Sequence, residues 1–212
     1  MLLEFIKENE NWKDILQEEP FNLRFDEVGD LTLIKYNQLC SNFGSKLVQE
    51  SRGCIINNKN LEYVCRPFDK FFNIEEPNAV IIDWDSARVQ EKLDGSIIKL
   101  FYYNEEWIFS TNGMIDSSKC EIGEWGISFL DLIKKAINYS DINFAKLNQN
   151  NTYMFEITSP YNKVVVPYVD TKLYHIGTRN NLTGKYYDEE IGIEKPKEFK
   201  CSNVNETDCR RA

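Results

Sequence analysis

Lys92-Leu93-Asp94-Gly95-Ser96 decides how the rest of the chain is read. A strand is expected on each side of it, over residues 87–91 and over residues 97–103. An Asp-Gly pair lets the backbone turn sharply and come close to a ligand. Two readings compete. Asp-Gly between apolar runs is a strong signal for an ordinary hairpin turn, and on these five residues alone that reading comes first. The other makes Lys92 a covalent nucleophile at the lip of the turn, a role that requires an amine stripped of its proton.

Composition narrows the choice. The 212 residues suffice for one sizeable domain or two small ones. Hydrophobic residues make up 42%, as in a globular protein, and aromatic residues 13%, which suits a real core or stacking surfaces. A net charge of -9 argues against a broad basic surface for duplex nucleic acid and leaves room for a local basic pocket. The cysteines (Cys40, Cys54, Cys65, Cys120, Cys201, Cys209) form no C-x-x-C pair, and His175 is the only histidine, so no zinc site is expected. The start lacks the basic-then-apolar pattern of a signal peptide, and no apolar run is long enough to span a membrane. The expected compartment is cytoplasmic, with free thiols.

Residues 1–19 carry apolar side chains at roughly helical spacing, closed by Pro20. Residues 31–36 alternate like a strand ending at Tyr36. Residues 46–56 and 61–65 read as a hairpin around the asparagine-rich turn 57–60. Arg66-Pro-Phe-Asp-Lys-Phe-Phe-Asn73 gathers two cations and three phenylalanines around a strand-stopping proline. Lys70 there is either aimed at an anion or solvated beside a hydrophobic plug. Residues 104–106 make another turn, with a return strand over 107–111 and a turn at Asn112-Gly113. Residues 124–139 have the pattern of an amphipathic core helix. Glu156, within the strand 152–158, is either an outward-facing residue or a ribose or metal ligand. Strands are also expected over 163–166 and 172–177, and the stretch beyond 195 is polar without a period. The fold class is α+β: antiparallel hairpins in two packed sheets with flanking helices.

In chain order, several of these pieces form one pattern. They are Tyr36 in Lys-Tyr-Asn, Arg52 in Ser-Arg-Gly, Lys70 in Arg-Pro-Phe-Asp-Lys-Phe-Phe-Asn, and Lys92 in Glu-Lys-Leu-Asp-Gly-Ser. The last is Glu156 in Met-Phe-Glu-Ile-Thr-Ser-Pro-Tyr-Asn-Lys-Val-Val-Val. Together they closely resemble the adenylyltransferase domain of the phage-type RNA ligase 1 family, ATP-dependent enzymes of the covalent nucleotidyltransferase superfamily. The resemblance runs from about residue 31 to residue 187. Residues 1–30 then read as a helical segment packed on the domain, 31–190 as the adenylyltransferase domain in part, and 191–212 as a polar tail.

The resemblance implies a nucleotidyltransferase fold and a reaction through lysyl-AMP. Lys92 attacks the α-phosphate of ATP, AMP passes to an RNA 5′-phosphate, and a 3′-hydroxyl displaces AMP. Arg52 and Lys70 would bear on the phosphates, Tyr36 on the nucleotide, and Glu156 on the ribose or a metal. Phe72, Asp94 and Gly95 would support the pocket, with Gly95 letting backbone approach the phosphate. Mg²⁺ would be carried largely by the phosphates. RNA ends, as in a nicked tRNA, are the expected partner.

Two departures stand out. Where the family has a lysine followed by glycine, Asn112 precedes Gly113. The family's later Glu-Gly and Lys-x-Lys motifs are not found after Tyr187; Glu189-Glu-Ile-Gly192 and Lys195-Pro-Lys197 come too early and surround a proline. The sequence therefore reads as a domain incomplete at its C-terminal side. That leaves a nucleotide- or RNA-end-binding module without ligation, or one half of a split ligase with a separately encoded C-terminal half, as the alternatives.

Overall fold

The computed structural model describes residues 1–137, 142–162 and 165–199. Along the chain lie α1 (Leu2–Glu8), α2 (Trp12–Gln17), β1 (Arg24–Val28), β2 (Leu31–Lys35), α3 (Lys46–Glu50), β3 (Arg52–Asn57) and β4 (Glu62–Cys65). There follow β5 (Val89–Gln90), β6 (Ser96–Tyr103), β7 (Glu106–Thr111), β8 (Glu121–Ile122), β9 (Ile127–Ser128) and α4 (Phe129–Ala136). The last elements are β10 (Asn151–Thr158), β11 (Lys172–Asn180), β12 (Tyr186–Tyr187) and β13 (Glu198–Phe199).

Two antiparallel sheets carry the fold, as the hairpin pattern predicts. One has the order β1-β2-β3-β4 and the other β12-β11-β10-β6-β7. Their facing sides meet through Leu31, Leu33, Ile55 and Cys65 from the first sheet and Phe101 from the second. The outer face of the first sheet is covered by Leu2, Ile6, Trp12 and Leu16. The outer face of the second is covered by Leu132 and Ile133, packed on Ile98, Leu100, Tyr153 and Phe155. Each fully buried large apolar side chain contributes about 1.5–3 kcal/mol relative to exposure. The arrangement is α+β, with helices outside two packed sheets. No helix among the described residues is long and apolar enough to cross a membrane.

Several expectations are corrected. The helix expected over 1–19 is two helices, because 9–11 breaks the run and the Asn9 side chain turns back to the Phe5 carbonyl at 2.8 Å. Residues 46–50 are helical, not strand; five residues with adjacent apolar positions satisfy either period, and in the helix the adjacent Val48 and Gln49 are both buried. The helix expected from 124 begins at Phe129, where Ser128 and Asp131 form a capping box. Residue 139 lies outside the described residues, as do Lys163, Cys201 and Cys209. Val165 and Val166 sit in a bend, not a strand.

The hairpin reading of Lys92–Ser96 fails. β5 pairs with β13, whereas β6 pairs with β7 and β10. The stretch crosses from a separate two-stranded sheet, β5 with β13, to the five-stranded sheet, and its Asp-Gly serves that crossing. The polar stretch from 191 is docked as far as it is described: Ile191 is buried, and Lys197 accepts the Glu91 N–H at 2.8 Å.

Candidate active site

Where the crossing reaches the second sheet, the chain comes unusually close to itself. A Cβ on Gly95 would stand 2.2 Å from the Ile157 carbonyl oxygen of β10, so no other residue fits without moving that strand. The close approach that glycine permits is thus to the chain's own backbone. The Gly95 N–H donates to Glu156 Oε1 at 2.9 Å. Glu156 lies opposite Ile97 of β6 and Tyr174 of β11 in the middle of the sheet. Burial pushes its carboxyl above the ordinary value; the Gly95 bond and the Lys92 and Arg52 charges act against that.

Glu156 and Gly95 share a cavity of about 540 Å³ with Lys92, Arg52, Phe68, Phe71 and Pro196. Arg52 enters from the start of β3. Its guanidinium lies 4.4 Å from the Phe71 ring centre and donates to the Asp69 carbonyl at 3.2 Å. A guanidinium anchored in this way would lose little freedom on binding an anion.

The other expected residues take different places. Tyr36 is buried behind Arg52, edge-on to Phe43 at 5.1 Å. Burial raises its hydroxyl, and the Arg52 charge and hydrogen bond oppose this. Asp94 turns its carboxylate to a neighbouring loop, accepting the Val165 and Val166 N–H groups at 2.6 Å each. Those bonds, Val166 first, hold it below the usual carboxylate range. Lys70 and Phe72 border an adjacent cavity of about 560 Å³, divided from the first by the shared Phe68 and Phe71. The Lys70 ammonium donates to the Phe71 carbonyl at 2.5 Å and lies 4.8 Å from the Phe72 ring centre.

Tertiary structure adds residues that sequence reading missed. Tyr168 accepts the Asp94 N–H at 3.0 Å, and Asn162 donates to Ser96 Oγ at 2.8 Å. Both tie the loop after β10 to the Lys92 crossing. Arg179, nearly buried, bonds the Asp69 carboxylate at 2.9 Å and the Pro67 carbonyl at 2.6 Å, pinning the aromatic loop. A charged residue within the strand pattern of β11 was the available signal. Cys54 and Cys65 are fully buried, and burial pushes the Cys54 thiol up to about 12, an inert core group.

For a divalent metal the protein offers little by itself. Among the described residues, no three His, Cys, Asp or Glu side chains converge. Glu91 and Glu156 border the cavity. That donor set fits an ion held chiefly by phosphate oxygens rather than a protein cage.

Known proteins share this construction. Over 176 residues the chain is 30% identical to a putative bifunctional polynucleotide kinase/RNA ligase of Autographa californica nuclear polyhedrosis virus, covering 74% of this chain and 25% of that protein. It is 28% identical over 195 residues to an RNA ligase of Rhodothermus phage RM378, covering 76% of this chain and 44% of that one. A putative ATP-dependent DNA ligase from Aquifex aeolicus superposes with a TM-score of 0.57 at 13% identity, over 95% of this chain and 53% of that one. At that identity the likeness establishes the nucleotidyltransferase-type ligase fold alone. The chain thus spans between a quarter and about half the length of the proteins it matches. Residues 50–207, three quarters of the sequence, match the family described as RNA ligase, and the chain belongs to that family, of the phage RNA ligase 1 type.

Proposed function

We propose that the chain acts in ATP-dependent RNA ligation, with Lys92 as the residue that carries AMP. The observation that supports this most is the convergence of Lys92, Arg52, Gly95 and Glu156 on one cavity. Lys92 Nζ attacks the α-phosphorus, the bond to the β-phosphate oxygen breaks, and pyrophosphate leaves with the electron pair. The lysine proton goes to solvent. An RNA 5′-phosphate oxygen then attacks the same phosphorus, the P–N bond breaks, and the amine takes up a proton. A 3′-hydroxyl finally attacks the activated 5′-phosphate and AMP leaves.

Each residue has a physical task. Arg52 faces the non-reacting phosphate oxygens, where fixed positive charge stabilises the transition state most. Glu156, held by Gly95, takes the ribose hydroxyls or shares a metal with Glu91. Tyr36 backs Arg52 and the nucleotide. Asp94 holds the crossing in shape. Lys70, from the adjacent cavity and supported by Phe72, meets a phosphate that extends past Phe71. Magnesium, bound with the nucleotide, would neutralise phosphate charge.

RNA carrying 5′-phosphate and 3′-hydroxyl ends, as in tRNA repair in the cytoplasm, is the proposed substrate. The net charge of -9 confines RNA contact to the site and makes it steeply salt-dependent. Incubation with α-labelled ATP and Mg²⁺ tests the first step. Label should stay with the protein through denaturation and vanish in Lys92→Ala. Label that persists in the variant, or is absent from the native protein, removes the reading. Retained ATP binding by calorimetry without label would identify a nucleotide-binding module instead.

A further inference from the structure

Lys99 is fully buried, at 0% exposure, in the middle of β6. Its stem crosses toward the first sheet, and its ammonium donates to the Gly53 carbonyl. A buried ammonium is costly unless hydrogen-bonded, so its placement needs a reason. Gly53 is the residue after Arg52, and the β2–β3 ladder slips there. Ile34 pairs with Cys54, but Lys35 pairs with Arg52, leaving Gly53 as an unpaired extra residue. Gly53 has φ +78, which a side chain would resist. A bulge of this kind bends a strand and re-aims the residue beside it.

The space around Gly53 is closed on the far side. A Cβ there would meet the Asn112 carbonyl oxygen at 2.6 Å, Asn112 Oδ1 at 2.7 Å and Lys99 Nζ at 3.0 Å. Asn112 Oδ1 and Ser110 Oγ are buried acceptors without a partner among the described residues, and Ser110 is the cross-strand partner of Lys99. Beside these unsatisfied polar atoms, the lysine ammonium bonds the Gly53 carbonyl. Burial lowers its proton affinity, with the neighbouring thiols acting against that.

We propose that Lys99 is a positioning residue for Arg52: its ammonium holds the Gly53 carbonyl, and with it the bulge that presents Arg52 to the cavity. The inference rests on the reading of that cavity as the adenylation site. Asn112, just after β7, and Lys99 of β6 both lie against Gly53, so Asn112→Lys offers a second route for an ammonium to the Gly53 carbonyl.

Lys99→Met keeps the length of the stem and removes the ammonium. The expected result is a melting temperature within a few degrees of wild type, with the rate of Lys92 labelling by α-labelled ATP down at least about tenfold. In an Arg52→Ala background the same change should cost nothing further, because both remove one function. Asn112→Lys added to Lys99→Met should restore part of the rate. Wild-type labelling by Lys99→Met, or losses that multiply with Arg52→Ala, would overturn the proposal. Should Lys99→Met not fold, the pair with Asn112→Lys becomes the test, and failure of that pair to fold assigns Lys99 to stability alone. Absence of label on the wild type strikes the adenylation reading instead. ATP affinity by calorimetry then reads the Lys99–Arg52 coupling without the covalent step: loss in each single variant with no further loss in the double upholds it, and full independence ends it.

Discussion

Gly95 donates its N–H to the Glu156 carboxylate at 2.9 Å, while the Ile157 carbonyl occupies the space that its side chain would need. One residue thereby seats the Lys92 crossing on β10 and orients the acid of the cavity. Neither relation involves neighbours in sequence.

Gly95→Ala forces Ile157 or the crossing aside. Overpacking of this kind costs about 1–3 kcal/mol. The melting temperature should fall by several degrees, at about 2–4 °C per kcal/mol for a chain of this size. Labelling of Lys92 should be lost with it. A variant that melts with the wild type would show that the contact carries no strain.

Glu156 holds its proton to higher pH in the folded chain than in the unfolded one. Between the two values the native state binds more protons, so stability falls as pH rises through that window. Glu156→Gln removes the charge and keeps an acceptor for Gly95. Its stability relative to wild type should therefore climb as pH rises above 4.5, the ordinary value, and then level off. Urea unfolding from pH 4 to pH 7 reads the difference, and a constant gap would refute it.

Asp94 carries the opposite sign. Its carboxyl is held below 3.8, the ordinary value, by two backbone N–H groups, so the native state binds fewer protons in that window. The clamp on Val165 and Val166 is fully present above 3.8 and released as pH falls through the lower folded value. Asp94→Ala should speed hydrogen exchange of those two amides about tenfold or more at neutral pH. Unchanged exchange there would mean that other contacts hold the loop.

His175 is 2% exposed, and its ring bonds the Thr178 hydroxyl at 3.0 Å. Burial pulls its value down from 6.5 to about 4. The unfolded chain binds the proton first, so stability is full above 6.5 and is lost as pH falls toward 4. The loss amounts to about 3 kcal/mol. Unfolding of wild type against His175→Gln should show that difference developing between pH 7 and pH 4, and parallel curves would argue against it.

Arg52→Lys tests geometry rather than charge. The ammonium cannot lie flat on Phe71 and also present a fork to phosphate. Labelling should drop by about 10–100-fold while the melting temperature stays near wild type. A rate within twofold of wild type would reduce Arg52 to a point charge.

Much of the fold was legible because its signals are local. The asparagine turn between β3 and β4 and the Asn104-Glu105 turn between β6 and β7 lie where the residues place them, the latter with φ 48 and 65. Residues 46–50 were not legible, since five residues do not distinguish a helical from an extended period. In the site, the residue types of Arg52, Lys92 and Glu156 could be read, and the structure brings all three to one cavity. Lys70 and Phe72 could be read as well, yet they border the next one.

By itself, the sequence determined the residue types, their order and the alternation that makes two antiparallel sheets. Those depend on side-chain chemistry and on a period of two along each strand. Only the tertiary structure decided that Lys92-Leu-Asp-Gly-Ser96 is a crossing between sheets and not a hairpin, because β5 takes its partner 108 residues on, pairing Gln90 with Glu198. It alone decided that Lys99 lies under Gly53, 46 residues away. The physical reason is the same in both cases. A ladder partner or a buried donor is chosen by what else must be satisfied when distant strands close on one core, and no window of neighbouring residues contains that requirement.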